Sequence, residues 1–200
     1  MDNLWLLVPV KPFDEAKSRL ATVLPEAERA ALSRYLLTRT ITLASDTGLF
    51  ARVLVVSRDC AALDLAKILG ALPLLEEEAD LNLALMQATR HAETAHADAI
   101  LVLPADLPLL TARDLTDLCT AGREGDVVLA PSRDGGTNAL LIHLPAPFAF
   151  AFGENSFSAH RHRALAAGRE VRILHSETLA LDLDWPDDLA LLSLCQQEPS

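Results

Sequence analysis

Five short apolar runs, at residues 4–8, 53–56, 72–75, 99–103 and 127–129, punctuate the first two thirds of the chain, each too short for a helix and each of a length that suits a strand. The opening run, Leu4-Trp5-Leu6-Leu7-Val8, has no polar position at all, the pattern of a strand covered on both faces. The segments between the runs have helical period. In residues 25–45, Leu32, Leu36 and Leu43 recur on one face with Arg29, Arg34 and Arg39 between them. Asp59 and Gly70 bracket a second helix as N-cap and stop, Asp80 opens a third that runs to about residue 95, and Thr111 with Asp114 three residues on resembles a capping box for a fourth ending near Gly122. Strands that alternate with helices of this length are buried by crossover packing, so the pattern predicts an α/β fold around a mainly parallel sheet.

After Ala130 the rhythm changes. Asp134-Gly135-Gly136 signals a turn and residues 138–142 a strand. Residues 145–152 are apolar and are expected to extend away from the sheet, which makes them a candidate contact between subunits. Residues 158–167 read as a helix stopped by Gly168, residues 171–174 and 179–183 as strands, and a last helix begins with Asp184 as N-cap and Pro186 in its first turn. No repeat or linker divides the chain, so residues 1–195 are expected to form one domain, with 196–200 a frayed tail. Two hundred residues, half of them hydrophobic, are enough for one core.

A formal charge of −11 opposes binding to nucleic acid or to an anionic membrane surface, both of which depend on clustered cations. No stretch approaches the roughly 20 apolar residues of a membrane helix, and Met1-Asp2-Asn3 carries an acid where a secretion signal carries lysine, so a cytoplasmic protein is expected. Cys60, Cys119 and Cys195 are odd in number and form no C-x-x-C pair, which suits buried thiols rather than disulfides or zinc. Of only three lysines, Lys11 and Lys17 sit with Arg19 in one short segment.

Ligands of open α/β sheets collect outside the carboxyl ends of the strands. Residues 9–20 leave the first strand there and carry Lys11, Lys17, Ser18 and Arg19, a set suited to surround a triphosphate, although the segment matches neither G-x-x-x-x-G-K-[ST] nor G-x-G-x-x-G. A solvated loop is the ordinary reading of such cations; their scarcity elsewhere favours function. Asp106, between Pro104 and Pro108, is a stiffly held carboxylate at a strand exit and suits a metal ion. Asp182 and Asp184, two apart in a predicted strand, project to one side and with Asp106 would form an acidic cluster able to hold magnesium beside phosphates. Asp184 has a plainer reading as a helix cap, the reading preferred for Asp187 and Asp188. The pairs His160/His162 and His91/His96 have poor metal spacing and read as structural or solvent-facing, and G-x-S-x-G is absent. A phosphate oxygen that is already ionised needs neither a protein nucleophile nor a strong base to attack a nucleotide's α-phosphorus; positioning, metal and cations suffice.

Val8-Pro9-Val10-Lys11, Ala16-Lys17-Ser18-Arg19-Leu20, Pro104-Ala105-Asp106-Leu107-Pro108, Gly136-Thr137-Asn138, Phe152-Gly153-Glu154-Asn155-Ser156-Phe157 and Asp182-Leu183-Asp184 together resemble, in order and spacing over nearly the full length, the 2-phospho-L-lactate guanylyltransferase family. The resemblance implies a single-domain nucleotidyltransferase fold of the GT-A, Rossmann-like type, a homodimer, and GTP and Mg2+ as requirements. It implies transfer of GMP to a phosphorylated acid with release of pyrophosphate, a step towards coenzyme F-420. It assigns Asp106, Asp182 and Asp184 to the metal, Lys11, Lys17, Ser18 and Arg19 to the nucleotide, and Lys17 and Asp106 to catalysis. Thr137, Gly153 and Ser156 fall to the acceptor. Leu81-Asn82 resembles a family Gly-Leu-Asn segment near the nucleoside, which assigns Asn82 to the nucleotide, but Asp80 stands in place of the glycine. Acceptors in the family are phosphoenolpyruvate, 2-phospho-L-lactate or 3-phospho-D-glycerate, and bacterial relatives favour the first. The alternatives are a related nucleotidyltransferase acting on a sugar phosphate or molybdopterin, whose usual glycine-rich first loop has no counterpart in residues 9–20, and a non-catalytic nucleotide-binding protein.

Overall fold

In the computed structural model, which describes residues 3–124 and 126–195, the hydrophobic opening strand β1 (Leu4–Pro9) lies inside a seven-stranded sheet. The others are β2 (Arg52–Ser57), β3 (Leu72–Leu75), β4 (Ala99–Val102), β5 (Val127–Pro131), β6 (Thr137–His143) and β7 (Val171–Ile173), in the order β3-β2-β1-β4-β6-β5-β7. All run parallel except β6, which is antiparallel to β4 and β5. Successive side chains of β1 enter opposite layers, as the pleat requires. Leu4, Leu6 and Val8 join Leu37 and Ile41 of α1 (Glu26–Thr47) and Leu115 and Leu118 of α4 (Ala112–Glu124). Trp5 and Leu7 join Leu85 and Ala88 of α3 (Leu81–Thr94) and Ala164 of α5 (Ser156–Ala166) on the other face. The chain is thus one α/β domain with a helical layer on each face.

The expected caps form. Asp59 accepts the Ala61 N–H at the start of α2 (Cys60–Ile68), Asp80 accepts that of Leu83, and Asp114 accepts the Thr111 N–H while Thr111 Oγ1 accepts that of Asp114. Four expectations change. Residues 179–183 are not a strand: Ser176 caps a short helix, α6 (Glu177–Ala180), by accepting the Leu179 N–H, and residues 181–184 belong to no strand before α7 (Pro186–Cys195) begins. The fifth helix starts two residues early, at Ser156. Residues 145–152 do not extend away; Phe148, Phe150 and Phe152 pack against the Trp5 side of the core, because that face would otherwise expose its rim. Cys60 is exposed, although Cys119 is buried and its thiol is pushed up to about 11 by desolvation, partly opposed by Arg123. Met1, Asp2, the Cys195 side chain and residues 196–200 lie outside the described residues. Among the described residues no helix is long and apolar enough to cross a membrane.

Asp114 ties α4 to α6: besides Thr111 it accepts hydrogen bonds from Ser176 Oγ at 2.6 Å and Thr178 Oγ1 at 2.7 Å. Burial opposes its charge, but the hydroxyls of Ser176, Thr111 and Thr178 outweigh that, and its pKa lies below the usual carboxylate value. A depressed folded pKa contributes stability that is full above the ordinary carboxylate value, about 3.9, and is lost as pH falls through the lower folded one. Asp114→Ala is expected to lose about 3 kcal/mol in urea unfolding at pH 7, with the gap to the parent narrowing as the pH is taken below that window.

Candidate active site at the carboxyl edge of the sheet

Six strands, all but β6, point their carboxyl ends to this edge. The loop after β1 turns into a 3-10 helix (Ser18–Thr22) through Lys17, whose φ of 55° is left-handed. That conformation is uncommon outside glycine and costs about 1 kcal/mol. It sends the Lys17 side chain, 7% exposed, inward to Asp106 Oδ2 at 2.7 Å and Asp184 Oδ1 at 3.1 Å. Burial alone would lower the lysine pKa, but Asp106 and then Asp184 override it and the pKa is raised. Lys17 is therefore a fixed cation.

Arg19 reaches Asp184 Oδ2 at 3.4 Å and lies over the Trp185 ring at 4.7 Å. Asp106 follows β4, and its backbone carbonyl accepts the Leu183 N–H at 3.0 Å, which straps the 181–184 segment to the β4 loop. Asp184 is free for the lysine because it is not the helix cap. Asp188, in the first turn of α7, accepts the N–H groups of Asp184 at 2.9 Å and Trp185 at 2.6 Å. The capping assigned to Asp188 from the sequence is thus what frees its neighbour.

The three acids gather less tightly than a strand geometry predicts. Asp182 Oδ1 accepts from Asn138 Nδ2 at 3.3 Å, an amide that also donates to the Leu179 carbonyl at 2.8 Å. Its pKa is pushed up to about 6 by desolvation first and by the charges of Asp106 and Asp184, against the Asn138 bond. Among the described residues no three His, Cys, Asp or Glu side chains are disposed as ligands of one ion. Asp106 and Asp184 share the Lys17 ammonium instead, with Asp182 set back on Asn138. One polar atom is left over: Asp106 Oδ1 is buried and has no hydrogen-bond partner.

A cavity of about 560 Å³ opens beside this cluster, and Lys11, Lys17, Ser18, Asp106 and Asp184 line it. Arg58 and Glu76 also line it, directly after β2 and β3, and the sequence reading did not single them out although the strand-exit rule points to both positions. Arg58 pairs with Glu15 and lies 3.8 Å from Glu76, whose carboxyl is raised by burial despite Arg58. Asn82 behaves differently from expectation. Its carboxamide is used at both ends by Phe152, donating to the carbonyl at 3.1 Å and accepting the N–H at 2.7 Å, and it does not line the cavity.

Thr137, Gly153 and Ser156 form a second locus, outside that cavity lining and joined to the acids through Asn138. Gly153 has φ 133°, which only glycine adopts readily. The turn it begins closes with Ser156 N–H to Gly153 carbonyl at 3.2 Å and Phe157 N–H to Gly135 carbonyl at 3.3 Å, so the start of α5 sits against the Gly135-Gly136 turn that precedes Thr137. Asp134 in that turn is held below the usual carboxylate value, mainly by the Ser132 hydroxyl and in part by Arg19. His160, read from sequence as structural or solvent-facing, is fully buried with Nδ1 3.0 Å from Thr137 Oγ1.

Comparison with known proteins bears on what such a site does. The family described as "Guanylyl transferase CofC like" matches residues 4–198. The chain is 42% identical over 192 residues to a phosphoenolpyruvate guanylyltransferase of Rubrobacter xylanophilus, covering 95% of this chain and 93% of that protein. It is 40% identical to a protein of the same name from Chloroflexus aggregans, covering 98% of each. A 2-phospho-L-lactate guanylyltransferase of Methanothermobacter thermautotrophicus is 36% identical, with 94% and 83% covered. Among solved structures, a nucleotide-diphospho-sugar transferase-like protein of Desulfovibrio desulfuricans G20 superposes with TM-score 0.81 at 19% identity, covering 100% of this chain and 90% of its own, a likeness of fold.

Lys17→Met would leave Asp106 and Asp184 close together without their ammonium. The expected outcome at pH 7 is a loss of about 3 kcal/mol, measured by thermal unfolding.

Proposed function

Because this chain belongs to the family of CofC-like guanylyl transferases, we propose that it transfers the GMP part of GTP to phosphoenolpyruvate and releases pyrophosphate. The single observation that supports the chemistry best is the Lys17 ammonium held between Asp106 and Asp184 in the wall of a cavity that Lys11 and Ser18 of the same loop also line. The acceptor is favoured by the names of the Rubrobacter and Chloroflexus relatives, at 42% and 40% identity. 2-Phospho-L-lactate and 3-phospho-D-glycerate share its phosphate and carboxylate and are the competing acceptors. The product would feed the assembly of coenzyme F-420, in a cytoplasmic homodimer; the resemblance supports the dimer, and the acidic charge fits a protein kept from nucleic acid and membrane.

The reaction joins an acceptor phosphate oxygen to the α-phosphorus of GTP as the bond from that phosphorus to pyrophosphate breaks. The attacking oxygen is ionised at neutral pH, so no side chain has to remove a proton. Lys17 can donate three hydrogen bonds, of which Asp106 and Asp184 take two, leaving a donor for a phosphate oxygen. Lys11, Ser18 and Arg19 line or flank the path of the phosphate chain and offset its charge. Magnesium fits the donor set: the oxygens are hard, and Asp106 Oδ1 is buried without a partner. Asp106, Asp182 and Asp184 are the residues that would hold it, and when bound it supplies positive charge to the phosphate oxygens. Thr137, Ser156 and the Gly153 N–H supply donors for the acceptor's anionic groups.

Pyrophosphate release from GTP and Mg2+ is to be measured with each of the three acids in turn, with a chelator control. Fast release with phosphoenolpyruvate, abolished by chelation, is expected; silence with all three in folded protein would overturn the reading. Asp106→Asn is expected to lose at least about a hundredfold in rate with its thermal midpoint retained, and an active, metal-dependent variant would remove Asp106 from the metal set.

A further inference from the structure

The acceptor locus contains a hydrogen-bond chain whose direction can be read. His160 of α5 is fully buried, with the Phe152 ring edge-on at 4.6 Å and Phe148 at 6.5 Å. Its Nε2 faces the Ala151 N–H at 2.9 Å. A backbone N–H only donates, so Nε2 is the nitrogen with the lone pair, and the single proton of the neutral ring lies on Nδ1. Desolvation, helped by the Arg163 charge, depresses the imidazolium to about 4, consistent with a neutral ring. Nδ1–H then donates to Thr137 Oγ1 at 3.0 Å. The Thr137 hydroxyl accepts that bond, so its own hydrogen points to some other partner; the described residues provide no second hydrogen bond for it. Thr137 is 6% exposed and stands at the head of a strand, so the hydroxyl has little freedom besides rotation about its C–O bond.

We infer that His160 is a positioning residue: the Ala151–His160–Thr137 chain locks the Thr137 hydroxyl as a hydrogen-bond donor towards the anionic group of the phosphorylated acid. This deepens the proposed reaction and rests on Thr137 facing the acceptor. The orientation matters because an anion accepts only. A freely rotating hydroxyl can offer either lone pair or its hydrogen, whereas one that already accepts from an imidazole N–H has one lone pair committed and its hydrogen turned away from the ring, free for an anion. A neutral imidazole also confers no charge, so the device aligns the acid without competing with the Lys17 cluster for its phosphate. Arg163, one turn on, is occupied by the Ala149 and Phe150 carbonyls at 2.7 and 2.6 Å, which holds the segment carrying Ala151 against the same helix.

Two substitutions separate the ring's nitrogens. His160→Asn places an amide N–H near the Nδ1 position and keeps a donor for Thr137; His160→Gln reaches the Nε2 position and keeps an acceptor for Ala151. His160→Gln is expected to raise the KM for the acceptor about tenfold while the KM for GTP stays unchanged, and His160→Asn to raise it less. In a Thr137→Val background His160→Gln should have no further effect on acceptor KM, since there is no hydroxyl left to orient. Equal effects in the two backgrounds, or an unchanged acceptor KM in folded His160→Gln, would overturn the inference. Nitrogen-detected histidine NMR on the unaltered protein gives a readout that needs no turnover and no variant to fold. The Nδ1–H tautomer between pH 6 and 8 is expected, and the Nε2–H tautomer would overturn the chain. Failure of the unaltered enzyme with every acceptor would instead refute the proposed reaction and leave the tautomer result standing.

Discussion

Charge balance around Lys17 organises the site. Two carboxylates from distant parts of the chain, Asp106 and Asp184, adjoin one buried ammonium, and Asp182, set back on Asn138, has its pKa driven up to about 6 by desolvation and by those neighbouring charges. Neither the acids nor the lysine is comfortable alone at this burial. The backbone contributes the rest of the fixation: left-handed Lys17 on one side, and the strap from Leu183 to Asp106 on the other. A nucleotide's phosphates and a divalent ion would enter a place where positive and negative groups already neutralise each other, so binding there exchanges partners rather than creating charge in an apolar interior.

Much of the architecture was legible from period and caps. The buried strands, the helices opened by Asp59, Asp80 and Thr111, and the mainly parallel sheet all follow from local rules. The misses come from places where a tertiary or side-chain effect outweighed those rules. The run at 179–183 is as apolar as a strand, but Ser176 starts a helical turn within it and no neighbouring strand waits to pair with the remainder. The 145–152 segment is apolar because it completes the layer around Trp5, a fact visible only when the second core is assembled. For the site, the loop cations and Asp106 stood out by scarcity and by proline bracketing. Arg58 and Glu76 did not, since single charged residues after strands are common. The roles of Asn82 and His160 depend on contacts spanning 70 and 23 residues, which no window of sequence contains.

Asp184 and Asp188 show how neighbouring identical residues acquire different tasks. The two N–H groups just ahead of helix α7, those of Asp184 and Trp185, need an acceptor, and a carboxylate has the chemistry for it. Asp188 reaches back to take both donors, so Asp184 can turn to Lys17 and Arg19. Arg19 is in turn braced by Trp185, the residue between the cap and the site. The start of the last helix is thus part of the site's scaffold even though the body of that helix is not.

The reversal of β6 has a mechanical consequence. Every parallel strand delivers its carboxyl end to the reactive edge and therefore contributes loops there, as in residues 10–20 and 103–110. The reversed strand delivers its beginning, so Thr137 is a ladder residue paired with Pro131, and Asn138 sits beside it where the register shifts between Ala130 and Pro131. The site thus draws on two kinds of backbone, the loops that follow the parallel strands and the paired beginning of the reversed one. In the proposed reaction the triphosphate would meet the loop side and the small acid the sheet-borne Thr137, so discrimination between acids that differ by a few atoms would draw on a residue fixed by strand pairing.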